Sequence, residues 1–254
     1  MSIIRKAAGF TLVEISIVLA IVALLLGGLL PAISGQIERQ HVSETRKQLD
    51  EIKEALIGYA IINGRLPCPA DPTTPTGSVN AAGVSAGSEY KNPAAGSPFT
   101  CANITGNAAW GVLPWATLGV GETDAWGRRF TYRVTAKFAD STDGDGTGSC
   151  SVVTGVSFQL CSSGNLDVWT SSGHTTKVAD SVPAIVISHG TNGYGAYTTS
   201  GNQIAGASGD ESDNATTSDN NYVSHDFTPT YDDLLVWISP SVLMNRMVTA
   251  GKLP

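Results

Sequence analysis

Gly9-Phe10-Thr11-Leu12-Val13-Glu14 opens an apolar run that reaches Leu30 and holds one ionisable side chain, Glu14. Read as a helix, residues 10–30 span about 31 Å at roughly 1.5 Å per residue, the thickness of a bilayer's hydrocarbon core. Arg5 and Lys6 stand just before the run, and no acid precedes Glu14. By the positive-inside rule, the first residues then stay in the cytoplasm and the chain after Leu30 is exported. A carboxylate four residues into such a segment is costly and points to function. A secretory signal peptide needs a shorter apolar core with a small-residue cleavage site behind it. A plain anchor accounts for the length and flanks but not for Glu14.

Outward from this run, the helix is expected to continue past the membrane. Ile37, Thr45, Leu49, Ile52, Leu56 and Tyr59 recur at spacings that put them on one helical face. Lys47 and Glu51 are four apart, as are Arg46 and Asp50, on the wet side. Gly27 and Gly28 weaken the helix locally, and Pro31 should bend it. Asn63-Gly64 with Pro67 beyond reads as its C-terminal cap.

The short basic leader, Gly9, Phe10, Thr11-Leu12-Val13-Glu14 and the apolar helix behind them resemble type IV prepilins and type II secretion pseudopilins. The resemblance implies that a prepilin peptidase cuts after Gly9 and that Phe10 is then N-methylated. Glu14 falls fifth after that cut, where the family carries its Glu. Pro31 falls twenty-second, where many members carry a helix-bending Pro. In the family, the Glu is thought to pair with the N-terminal amine of a neighbouring subunit during assembly. The implied partners are other pilin or pseudopilin subunits, the peptidase and the inner-membrane assembly platform. The implied location is the inner membrane with the C-terminal domain in the periplasm, then the filament. The expected domains are a leader at 1–9, a membrane half-helix at 10–30, an amphipathic half at 31–62 and an exported pilin-like domain at 63–254.

The expected fold class is α+β: a long N-terminal transmembrane and amphipathic helix packed on an antiparallel sheet, with long disulfide-tied loops. Residues 67–109 read as a loop rich in small and polar residues. Trp110 to Gly121 holds an aromatic cluster expected to pack on the helix. Phe130, Tyr132 and Val134 alternate with polar residues, as in a strand with one buried face. The Asp124-Ala125-Trp126-Gly127 turn before them resembles the start of the sheet in secretion pseudopilins. Residues 151–160 read as a strand or hairpin, 184–188 as a central strand, 190–224 as surface loop and 234–238 as a last strand. Ser239-Pro240 starts a short helix, with Pro at its first position.

Four cysteines, Cys68, Cys101, Cys150 and Cys161, all follow the apolar run. An even number in an exported domain reads as two disulfides. Of three connectivities, the local one is expected, Cys68–Cys101 and Cys150–Cys161. None is spaced as a zinc ligand pair.

The net charge is −7, and past residue 60 there are nine Lys or Arg against sixteen Asp or Glu. An acidic domain without a basic run is a poor partner for nucleic acid. His41, His174, His189 and His225 are scattered, and His189 reads as a turn histidine. No nucleophile elbow, phosphate loop or internal repeat is present. The expected role is therefore structural and not enzymatic, with a membrane-tethered adhesive or ligand-binding protein as the alternative. The one cofactor in view is calcium, which takes several oxygen ligands from acidic loops. Its expected ligands are Asp210, Asp213, Asp219 and Asp226. Pseudopilins resembling this chain often bind calcium in a C-terminal loop, and solvated turn acids are the competing reading.

Overall fold

The computed structural model describes residues 9–92, 99–140 and 155–253, with the side chains of residues 26–34 outside the description. The chain forms two compact units, Met1–His41 and Val42–Pro254. Helix α1, Leu12–Asn63, contributes to both. In the first unit its apolar side chains up to Leu25 are exposed. Among the described residues, no helix is long and apolar enough to cross a membrane. The later part of the expected span, and the Pro31 ring, lie outside the described side chains.

In the second unit α1 buries Thr45, Leu49, Ile52, Leu56, Ile57 and Ala60. Spacings of three and four keep this stripe on one face. Tyr59 is half-buried, but Ile37 lies in the first unit and is exposed. Gly64 ends the helix at φ +71°, with its N–H donating to Ala60 O at 2.8 Å. A Cβ there would sit 2.1 Å from the Gly155 carbonyl, so left-handed geometry and close approach both require glycine.

The stripe packs on a five-stranded antiparallel sheet. Its strands are β1 Ile104–Thr105, β2 Ala108–Val112, β3 Thr131–Thr135, β6 Ala184–Ser188 and β8 Leu234–Ile238, in the order β1-β2-β3-β6-β8. Phe130, Tyr132, Val134, Ala184 and Val186 face the first core with α1. Helix α4, Pro240–Thr249, adds Leu243, Met244 and Met247, and begins on Pro240 as read from the sequence.

A second sheet was not legible in the sequence. It joins β4 Leu166–Trp169, β5 Lys177–Val182 and β7 Asn221–Val223 in the order β5-β4-β7, with β4 and β7 parallel. Leu166, Val168, Val182 and Tyr222 pack on Ile185 and Ile187 from the other face of the large sheet. Strand β6 is therefore buried on both faces, which is why its sequence is continuously apolar and not alternating. The same cover corrects the reading of β3 as a one-sided strand. Arg133 on its second face is buried, with its guanidinium 5.8 Å from the Tyr222 ring and an Nη2 donating to Thr216 O.

Three segments differ from expectation. Residues 190–224 are not only loop: they contain helix α3, Asp210–Ala215, and β7. Residues 155–160 form no strand. Phe158 instead stacks on Phe138 at 4.8 Å, and Ser157 N donates to Gly64 O, so the segment closes the end of α1. Of the cluster expected on the helix, Leu113, Leu118 and Val120 do join the core with α1, whereas Trp115, on the short helix α2, Trp115–Leu118, packs with Ala70 and Val112 and under Arg129 at 4.7 Å.

Candidate functional site

Gly9 and Phe10 are exposed, and a Cβ on Gly9 would meet no atom within 4 Å. Among the described residues, nothing in the packing calls for glycine at that position. Thr11 precedes the first helical residue and accepts the first helical hydrogen bond from Ile15 N, at 3.2 Å. Its hydroxyl accepts from Glu14 N at 3.2 Å. The Glu14 carboxylate returns the contact, accepting from Thr11 N and Thr11 Oγ1, both at 3.0 Å. This is a capping box, two orphan donors of the helix start satisfied reciprocally. The Thr-x-x-Glu spacing carried that signal, but reading Glu14 only as an intramembrane charge passed over it. Beyond the cap, Leu12, Val13, Ile15, Ile17, Val18, Leu19, Ile21, Val22, Leu24 and Leu25 are all exposed. Scattered surface apolar residues are ordinary, but a contiguous bare set marks a surface that another apolar body covers.

Cys68 and Cys101 are bridged and buried, with Cα atoms 5.4 Å apart. Cys150 lies outside the described residues, and with it the second expected bridge; no described cysteine is free.

The four acids expected to hold calcium do not converge. Asp210 accepts from Ser172 N at 2.8 Å and pairs with His225 at 3.1 Å; the Ser172 N–H, more than any other contact, holds its carboxyl below the ordinary range. Asp213 pairs with His174 at 2.8 Å. Asp219 accepts from Asn221 N at 3.2 Å, closing a turn. Asp226 lines a surface cleft.

A different trio meets. Among the described residues, the only group of three or more potential metal ligands is Glu211, Asp232 and Asp233, with ligand oxygens within 4.8 Å of one another. Glu211 comes from α3; Asp232 and Asp233 lead into β8. Burial pushes the carboxyls of Glu211 and Asp233 above their ordinary range. Asp232-Asp233 abutting a buried strand was visible in the sequence. Glu211, twenty-one residues earlier, is brought in only by the fold.

His189, read as a turn histidine, is fully buried behind β6. Its Nε2 lies 2.9 Å from Thr131 Oγ1 and its Nδ1 lies 3.7 Å from Asp233 Oδ1. The order hydroxyl, imidazole, carboxylate is that of a hydrolytic relay, but the last gap exceeds a hydrogen bond. The imidazole itself is also shut away from substrate. Burial, with the nearby Arg128 charge, lowers its pKa to about 4, so it is neutral at physiological pH.

Residues 4–30 match the family model described as the prokaryotic N-terminal methylation motif, the signature of type IV prepilin- and pseudopilin-like proteins. The match covers the start of the chain and supports a pilin-like or pseudopilin-like protein; proteins with this motif are structural. No curated protein and no solved structure matches it.

Proposed function

We propose that this chain is a structural subunit, minor or large, of a type II secretion pseudopilus or a type IV pilus. Prepilin peptidase cuts between Gly9 and Phe10, and Phe10 is methylated. The apolar start of α1 holds the protein in the inner membrane, with the second unit in the periplasm. The assembly platform then draws it into a filament, where bare apolar helices from neighbouring subunits pack together. The observation that carries this reading is the methylation motif over residues 4–30, together with the start of α1, whose described apolar side chains from Leu12 to Leu25 are exposed. The size of the second unit and its long loops favour a minor or surface-displaying role.

The test is the N-terminus of assembled protein, read by mass spectrometry. The expected result is a chain starting at methylated Phe10. Gly9→Val should block processing and assembly together. An intact leader in assembled filament overturns the proposal. A tethered binder, whose anchor alone suffices, should instead keep its binding in Gly9→Val.

A further inference from the structure

Arg133 stands on β3, on the face of the large sheet that the second sheet covers, and it is 1% exposed. Its Nη2 donates to Thr216 O. Its Nη1 is buried without a hydrogen-bond partner. The other two buried arginines are paired with carboxylates, Arg65 with Glu89 at 2.7 Å and Arg129 with Glu122 at 2.9 Å, whereas no carboxylate among the described residues forms an ion pair with Arg133.

A buried lysine can shed its proton, but a guanidinium cannot. A buried charge left uncompensated is costly. The Tyr222 ring, 5.8 Å from the guanidinium, offsets only part of that cost. The Tyr222 hydroxyl is itself buried without a partner. Both groups can donate, and buried donors are nearly always satisfied. What is wanting beside Arg133 is an acceptor that carries negative charge.

Arg133 also lines a small cavity of about 10 Å³, with Trp110, Thr131, Tyr197, Gln203 and Thr216 among its other walls. None of the residues lining it is acidic. The volume suits one occupant of about the size of a water and is too small for a sulfate or a phosphate. Gly195, Gln203 and Ala215 line this cavity and also a wider, open cleft of about 240 Å³, which sets its wall beside solvent.

We propose that Arg133 holds one small monatomic anion of the chloride or bromide class in this cavity. The anion accepts from Nη1 and supplies the charge that Glu89 and Glu122 supply to the other two arginines. It fastens the end of α3, whose Thr216 carbonyl Nη2 binds, to the large sheet. The site stands independently of the assembly reading.

The experiment uses the full chain in detergent, dialysed into sodium gluconate, whose anion is too large for the cavity. Sodium chloride, sodium bromide and sodium sulfate then replace gluconate at constant ionic strength while the melting temperature is followed. An ion that binds the native state raises it. The expected result is a saturable rise with chloride and with bromide and none with sulfate. Arg133→Met should lose the rise. A melting temperature that is the same in chloride and in gluconate overturns the proposal and leaves Nη1 to a water or to Tyr222 Oη. A rise of undiminished size in Arg133→Met puts the ion elsewhere and overturns it as well. If Arg133→Met does not fold, anomalous diffraction from crystals of the parent grown in bromide decides. A bromide peak beside Arg133 Nη1 is expected, and its absence there overturns the site.

Discussion

Glu14 has two separable properties, a carboxylate oxygen and a negative charge. The oxygen caps the helix through Thr11. In the proposed filament the charge would meet the new α-amine of a neighbouring subunit and penalise misaligned helices. An ion pair in an apolar bundle is weak evidence for stability, because desolvation offsets much of the attraction; register is its better-attested use. Glutamine also serves at this position of a capping box, so two variants divide the roles. Glu14→Gln keeps the cap and loses the charge, whereas Glu14→Ala loses both. If charge sets register, filament yield should fall sharply in both, at protein levels equal to the parent. Normal assembly in Glu14→Gln, seen by electron microscopy of sheared filaments, would leave only the cap as the function of Glu14.

At the scale of the element, α1 is one helix with two surroundings. Leu56 is fully buried among residues of the first core, while Leu19 is 63% exposed. The same truncation should therefore read out differently at the two sites. Leu56→Ala removes packed methyl groups and leaves a cavity, and should cost about 2–5 kcal/mol of unfolding free energy. Leu19→Ala should change unfolding by less than about 0.5 kcal/mol but reduce assembly, since it shaves the surface that neighbours would cover. Denaturant unfolding followed by tryptophan fluorescence, alongside filament yield, checks both. A large stability loss in Leu19→Ala would place that side chain in the chain's own core.

On the scale of the whole second unit, the end of α1 is clamped to the loop that follows it. Arg65 grips Glu89 with two nitrogens, at 2.7 and 2.9 Å, and Cys68 N donates to the same carboxylate at 3.2 Å. The adjoining disulfide closes the loop and is worth about 4 kcal/mol on the chain-entropy estimate. Burial raises the Glu89 pKa, but the hydrogen bonds and charge of Arg65 outweigh it, and the net shift is downward. A folded value below the unfolded one stabilises above the unfolded pKa and is lost as pH falls through the folded value. The unfolded value is 4.5. Glu89→Gln, which leaves Arg65 buried without its counter-charge, should cost about 2–4 kcal/mol at pH 7. The gap from the parent should narrow as pH drops below about 4.5. Chemical denaturation at pH 7 and at pH 3.5 checks it; a gap that does not narrow with acid would show that the pair contributes shape and not charge.

Local signals determined a good deal of this protein. The methylation motif, the buried stripe from Thr45 to Leu56, the cap at Gly64, the strands near 130–134, 184–188 and 234–238, and the start of α4 on Pro240 were all legible. Each depends on neighbours within a few residues: a period, a turn or a fixed φ. The turn at Asp124 belongs with them, because its carboxylate accepts from Trp126 N and Arg128 N, both at 3.0 Å. Only tertiary structure decided the second sheet, whose β7 is three residues long and too short to show a period. That sheet turned the expected wet face of β3 into a core and buried Arg133. Tertiary structure also chose which acids meet. Asp210 and Asp213 flank or follow Glu211 on the same short helix, yet they turn to His225 and His174 while Glu211 faces Asp232 and Asp233. Helical rotation places neighbours on different faces, and which face meets β8 is set by packing between segments far apart in the chain.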